Sequence, residues 1–328
     1  MPLLPYDARN FPASAPAELH GAGNLAVTWQ DLVWAAVTVG KPSALHLFLH
    51  GWHSISDLLV RAHTVYASLR ETNHRLARSS LYESSDPTEK GATSYFLGMA
   101  LAKLAWSRLL GTPFLFHLSM ANSIGLPVRV RGRLEPDLLG QLPNGRWIVV
   151  EAKGRTNGFD AIALKKAKRQ TRAIRTINGA RPDARIAAQT YFDPTMRLIL
   201  DDPKSRDENS IDIDVDVQAM YHRYYSFIYE ATTGSNDLRS IRAESYVFRK
   251  IPEAGIEIGV NVNVRSLLDK DSILQADFAG KLAQVHSEAV QGAVSTFPDG
   301  LAIILDERWD PKVMSREPTE RSGGQSAR

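Results

Sequence analysis

A chain of 328 residues, 44% hydrophobic and 23% charged, can bury a sizeable core and has the composition of a globular protein rather than a disordered or fibrous one. It contains no cysteine, which excludes a disulfide framework and any thiolate metal site and fits a reducing, cytoplasmic setting. The formal net charge is only +3, but ten Lys or Arg stand against two Asp between Lys153 and Arg185, so the positive charge is concentrated there and the remainder is net acidic.

The opening MPLLPYDARNFP has no basic segment ahead of an apolar one and does not read as a signal peptide; no apolar run approaches the roughly 18 residues of a membrane span. Residues 1–85 are expected to form a mainly helical N-terminal region, irregular at first and then helical, because SALHLFLHGWHSISDLLVRAHTVYASLRETNHRLA carries helix-type apolar spacing broken at Gly51. His46, His50 and His53 share one helical face there, but no acidic ligand accompanies them, and they read as structural histidines.

A helix is expected from Asp86 to Gly111. Asp86 suits the N-cap, Pro87 the first position, Glu89 completes a capping box, Leu97, Leu101, Leu104 and Ala105 form a buried stripe, and Gly111 and Pro113 end it. Two short apolar runs follow, FLFHL and LPVRVRGRL, either of which suits a strand. A hairpin then turns at Pro143-Asn144-Gly145. GFDAIALKKAKRQTRAIRTING is expected to be one helix closed by Asn178-Gly179, and RIAAQTYF a strand. DDPKSRDENS reads as a polar boundary. An α/β extension over 204–310 follows, with alternating IDIDVDV, an aromatic-rich helix, a hairpin around KIPEAGIEIGVNV, a helix near FAGKLAQVHSEAV and a strand LAIILDE. Residues 311–328 read as a polar, disordered tail.

The hairpin carries the chemistry. Strand alternation puts Glu151 and Lys153 on one face. With a three-residue turn Asp137 faces Glu151; with a two-residue turn it faces Ala152 and lies diagonal to both. Either register gathers two carboxylates and one ammonium. Two carboxylates that close repel unless a proton or a cation intervenes. A hard divalent ion such as Mg²⁺, bound through one or two carboxylates, removes the conflict; it polarises a phosphoryl oxygen and lowers the pKa of a bound water, while an ammonium steadies the charge that develops on phosphorus.

PDLLGQLPNGRWIVVEAK resembles the PD-(D/E)XK motif of the restriction-endonuclease-like nucleases, with Pro136-Asp137 as the PD element and Glu151-Ala152-Lys153 as E-X-K. The resemblance covers about a third of the chain, Asp86 to Phe192. It implies an α/β fold with an αβββαβ core and a mixed central sheet over 86–203, preceded by the helical region and followed by the α/β extension. It further implies metal binding by Asp137, Glu151 and the Ala152 carbonyl, with Mg²⁺ the cofactor and Mn²⁺ able to substitute, and a water-activating role for Lys153. Hydrolysis of nucleic acid, DNA in particular, would leave 5′-phosphate and 3′-hydroxyl ends, and symmetric duplex cleavage would call for a homodimer.

Some members carry an extra helical Glu. Glu89 is the candidate here, although the capping box explains it too, and Tyr95 stands one turn after Lys90-Gly91 where related resolvase-type enzymes have a Glu. Some carry a Gln on the following helix, for which Gln170 is the candidate. Lys165, Lys168, Arg169, Arg172 and Arg175 form a helical stripe that could neutralise phosphates. Tyr221, Tyr224, Tyr225, Phe227 and Tyr229 read as core packing, and Asp212, Asp214 and Asp216 as the solvated face of a strand. With neither P-loop nor G-x-G-x-x-G, nucleotide-driven translocation is not expected. The alternatives to a nuclease are a catalytically silent nucleic-acid-binding or assembly module of the same fold and a structural subunit.

Overall fold

A computed structural model describes residues 1–39, 52–118, 136–203, 210–269, 278–285 and 294–314. The protein is mixed α/β. Its first strand, β1 (Leu3–Arg9), alternates buried Leu4, Tyr6 and Ala8 with more exposed residues. This segment was expected to be irregular, since Pro2, Pro5 and Pro12 depress strand propensity. Pro5 is tolerated because the ladder on one side begins only at Tyr6. β2 (Gly21–Ala26) pairs antiparallel with β1. α1 (Trp29–Thr38) follows behind a Thr28–Asp31 capping box, and then α2 (Trp52–Ser68). The helical reading extended too far here. β3 (Leu69–Thr72) and β4 (Arg75–Arg78) form a tight hairpin whose turn residues, Asn73 and His74, take φ of 48° and 56°. His46, His50 and Gly51 lie outside the described residues, as does the side chain of His53.

α3 (Ser80–Ser84) leads into α4 (Pro87–Leu110), where the cap forms as its sequence dictates. The Asp86 carboxylate accepts the Thr88 and Glu89 N–H groups at 2.7 and 3.2 Å, and Gly111 closes the helix at φ 60°. β5 (Leu115–His117), β6 (Leu138–Gln141) and β7 (Trp147–Gly154) then form an antiparallel meander. α5 (Ala161–Arg172) stops earlier than expected: Ile174–Ile177 is β8, pairing parallel with β11 (Ile211–Ile213). The β-branched Ile174, Thr176 and Ile177 favour an extended backbone, and Ile174 and Ile177 are buried from it as well as they would be from a helix. β9 (Ala184–Phe192) and β10 (Met196–Asp201) complete a mixed nine-stranded sheet in the order β3-β4-β1-β10-β9-β7-β6-β5, with β2 on β1. β7 runs parallel to β9, and β1 parallel to β10. The expected boundary between residues 85 and 86 therefore cuts through one sheet, because residues 6–9 pair with residues 198–201.

The extension supplies α6 (Val217–Thr232) and a second, antiparallel sheet, β12 (Asp237–Ile241), β13 (Glu244–Ile251), β14 (Ile256–Asn261), β15 (Val294–Thr296) and β16 (Leu301–Leu305), in the order β12-β13-β14-β16-β15. α7 (Val262–Asp269), α8 (Phe278–Val285) and the single turn α9 (Pro311–Met314) complete the described α-helices, the last of them at the start of the segment expected to be a disordered tail. Only Ile211–Ile213 of the alternating acidic run is a strand; Asp214 is exposed and Asp216 caps α6 by accepting the Ala219 N–H at 3.0 Å. Tyr221, Tyr224 and Tyr225 are buried, the first two edge-on to Phe114 at 4.7 and 5.0 Å between centroids; Tyr229 is half-buried, and the Phe227 side chain lies outside the described residues. Among the described residues no helix is long and apolar enough to cross a membrane.

α4 is buried almost all round from Leu97 to Trp106, and this burial takes in a charge. The Lys103 ammonium, with no exposed surface, donates to the hydroxyls of Thr38 and Tyr224 and lies 4.4 Å from the Trp34 ring centroid. Tyr224 and the Trp34 indole N–H both donate to the Asp299 carboxylate, at 2.5 and 2.8 Å, and the Leu301 N–H donates to its other oxygen at 3.2 Å. One buried polar network thus ties α4, α1, α6 and the β15–β16 turn together. Burial pulls the Lys103 ammonium down to about 7, against the opposing pull of Asp299.

The unfolded chain therefore holds a proton that the folded chain gives up, and between about pH 7 and 10 this group makes stability rise with pH. Urea unfolding across that window is expected to show the rise in the wild type and a flattened profile in Lys103→Met. Asp299→Ala, which strands the ammonium, is expected to cost about 3–5 kcal/mol.

Candidate active site

The β6–β7 hairpin closes over five residues. The Leu142 N–H donates to the Arg146 carbonyl at 2.7 Å, the Gly145 N–H to the Leu142 carbonyl at 2.9 Å, and Gly145 takes φ 78°. Leu138 pairs with Val150 and Gln141 with Trp147, so the three-residue turn is the one adopted and Asp137 falls opposite Glu151. The two residues interlock. The Asp137 N–H donates to Glu151 Oε2 at 2.8 Å, and Asp137 Oδ2 accepts the Ala152 N–H at 3.2 Å. Lys153 Nζ reaches Glu151 Oε1 along the same face.

Glu151 has no exposed surface, Asp137 is half-buried, and the Lys153 side chain is 20% exposed. Burial pushes the Glu151 carboxyl up to about 7; Asp137 adds to the push, and Lys153 with the hydrogen bonds opposes it without prevailing. The pocket thus holds more negative charge than one ammonium neutralises. Asp137 Oδ1 has no hydrogen-bond partner among the described residues. Two carboxylates and the Ala152 carbonyl are hard oxygen donors of the class Mg²⁺ takes, with both Glu151 oxygens already engaged by protein donors. Among the described residues no cluster of three or more His, Cys, Asp or Glu side chains forms a metal site, so no third acidic ligand joins the pair.

The other expected residues are placed differently. Glu89 is exposed at the start of α4, where its carboxylate accepts the Asp86 N–H in the capping box at 3.4 Å. Gln170 lies half-buried on the last turn of α5. Lys165 and Arg169 are exposed on α5 and Arg172 is half-buried, with no ion-pair partner among the described residues. Lys168 is bound to the buried Asp201 at 2.5 Å and is not free for a phosphate. Arg175 leaves the stripe altogether: it lies on β8, its Nε 2.9 Å from Asp212 Oδ1, and that guanidinium holds Asp212 well below the usual carboxylate range.

Residues with no role expected from the sequence, Tyr95 and Lys166 among them, sit nearer the triad. A cleft of about 560 Å³ opens beside Ala152 and Lys153, between Gly91, Ser94 and Tyr95 on the first turns of α4 and the segment from Gly154 to Asp160, with Lys166 at its rim. Its shape depends on a backbone contact. A Cβ on Gly154 would lie 1.6 Å from the Ser94 carbonyl oxygen, and one on Gly98 2.7 Å from the Gly154 nitrogen. A glycine in mid-helix and another directly after E-X-K were visible signals of such an approach, but only their pairing in space gives them meaning.

Gly154→Ala is expected to force α4 off β7 and cost about 3 kcal/mol, measured by chemical denaturation. Gly158→Ala, on the same cleft but with nothing within 4 Å of the added carbon, should stay within about 0.5 kcal/mol of the wild type. Equal effects would show that the helix–strand contact does not set the site. No family model matches the chain, and neither does any curated protein or solved structure.

Proposed function

We propose that the protein is a Mg²⁺-dependent nuclease of the PD-(D/E)XK, restriction-endonuclease-like type, hydrolysing phosphodiester bonds of DNA in the cytoplasm. The observation that carries this reading is the convergence of Asp137, Glu151 and Lys153, two carboxylates and one ammonium, with Lys153 also lining an open cleft. The order α4, β5, β6, β7, α5, β9, with β7 antiparallel to β6 and parallel to β9, supports the αβββαβ assignment.

The Asp137 and Glu151 carboxylates and the Ala152 carbonyl would hold the ion, which when bound supplies Lewis acidity toward a phosphoryl oxygen and a water. The chain's own groups do the rest. Glu151 anchors the Lys153 ammonium at the cleft wall, where it can orient the attacking water and stabilise charge on the phosphoryl oxygens as they become more negative. Lys166, at the rim, screens the strand's phosphates. A P–O bond forms to water as the bond to the 3′-oxygen breaks, and the products are a 5′-phosphate and a 3′-hydroxyl. If duplex is cut symmetrically, two copies would act together.

One observation favours a second reading, a silent nucleic-acid-binding module. Both Glu151 oxygens are engaged by protein donors and none of its surface is exposed. The two readings part in a cleavage assay with plasmid and single-stranded DNA. A nuclease cuts with Mg²⁺, stops with EDTA, and loses at least about a hundredfold in rate in both Asp137→Ala and Lys153→Ala. DNA binding with no cleavage under any metal would establish the module.

A further inference from the structure

The cleft beside Lys153 has the features of a selective site. One wall is the Tyr95 ring, 41% exposed, braced edge-on by Phe96 at 5.8 Å between centroids and close enough to Asp137 and Glu151 for both to act on its phenol. The facing wall is held rigidly. The Arg155 N–H donates to the Thr190 carbonyl at 2.8 Å, the Thr156 carbonyl accepts from Arg78 at 3.1 Å, and the Asp160 backbone exchanges two 2.8 Å hydrogen bonds with the Gln189 amide. Three cations line the space: Arg155, which Asp160 holds at 3.1 Å, and two that flank it, Lys153 inside and Lys166, exposed and without an ion-pair partner among the described residues, at the rim. Around Gly91 and Gly158 nothing lies within 4 Å of where a side chain would begin, so the mouth stays open. A volume of about 560 Å³ suits one small-molecule-sized group. An aromatic face beside two cations suits a flat ring that carries a phosphate.

We propose that this cleft receives a single unpaired nucleotide of the substrate strand, its base against the Tyr95 ring and its phosphate between Lys153 and Lys166, so that the protein acts on single strands and frayed ends in preference to continuous duplex. A base paired in the interior of a duplex offers no free face to Tyr95, because both of its faces are stacked; to enter the cleft it must first be unpaired and unstacked, at a cost that a single strand largely escapes. The proposal deepens the nuclease reading and rests on it for the substrate being nucleic acid.

The test separates the two. Fluorescence anisotropy with a labelled single-stranded oligodeoxynucleotide and its blunt duplex, in EDTA, measures binding without cleavage; the same substrates with Mg²⁺ measure cleavage. Wild type is expected to bind the single strand about tenfold more tightly than the duplex, Tyr95→Ala to lose that preference and Tyr95→Phe to keep it. Lys166→Ala, at an exposed side chain whose loss leaves folding intact, should weaken single-strand binding and lower the slope of affinity against salt by about one. Equal binding of both substrates by wild type, a preference that survives Tyr95→Ala, or an unchanged salt slope in Lys166→Ala overturns the proposal. If the Tyr95-dependent preference holds but no form cleaves, the cleft stands and the nuclease reading falls. If cleavage depends on Asp137 without any preference for the single strand, the nuclease reading stands and the cleft proposal falls.

Discussion

Everything at the site follows from a carboxylate placed where water cannot reach it. Glu151 sits on an interior strand of the main sheet, opposite Asp137 and two residues from Lys153, with its ionisation pushed up to about 7. A fold optimised only for stability would place an apolar residue there, as β7 does immediately before it with Trp147, Ile148, Val149 and Val150. The run of four buried apolar residues is what forces the fifth inward, since it locks β7 between β6 and β9 and leaves Glu151 no exposed face.

The rest of the fold serves to hold that strand and what faces it. On one side α4 approaches β7 so closely that only glycine is tolerated at residues 98 and 154. α4 is in turn fixed by the Lys103–Tyr224–Asp299 network, which reaches through α6 to the second sheet. A continuous chain of contacts therefore runs from the β15–β16 turn to the cleft, and the extension acts as a brace on the helix that forms one cleft wall. Tyr224 belongs both to this brace and to the aromatic cluster with Phe114, so the tyrosines of α6 are core residues with a polar task.

Much of this was legible in the sequence where the determinants are local. The Asp86–Glu89 capping box, the Asn144-Gly145 turn and strand alternation across Glu151 and Lys153 each depend on residues a few positions apart, and each takes the expected form. The turn left two registers open, and pairing across the whole hairpin selects between them. What was not legible depends on distant partners. β1 hides behind its prolines, and its partner toward the centre of the sheet, β10, lies almost two hundred positions away. The basic helix was read too long because Ile174 and Ile177 satisfy a helical stripe and a buried strand equally well, and so Arg175 was assigned to a phosphate when Asp212 holds it. Lys166 carries no motif and Tyr95 marks only a departure from one; the fold alone brings them to one cleft.

On the proposed function, the buried pair Asp137–Glu151 is an incomplete charge arrangement that a divalent cation completes. Calorimetric titration of Mn²⁺ into the wild type, Asp137→Asn and Glu151→Gln, at pH 8 and pH 6, tests it most directly. One ion per chain is expected for the wild type, with at least about tenfold weaker binding in each variant and weaker wild-type binding at pH 6, where the ion must displace a proton from Glu151. Absence of binding to the wild type at pH 8, or equal affinity in all three proteins, would contradict it.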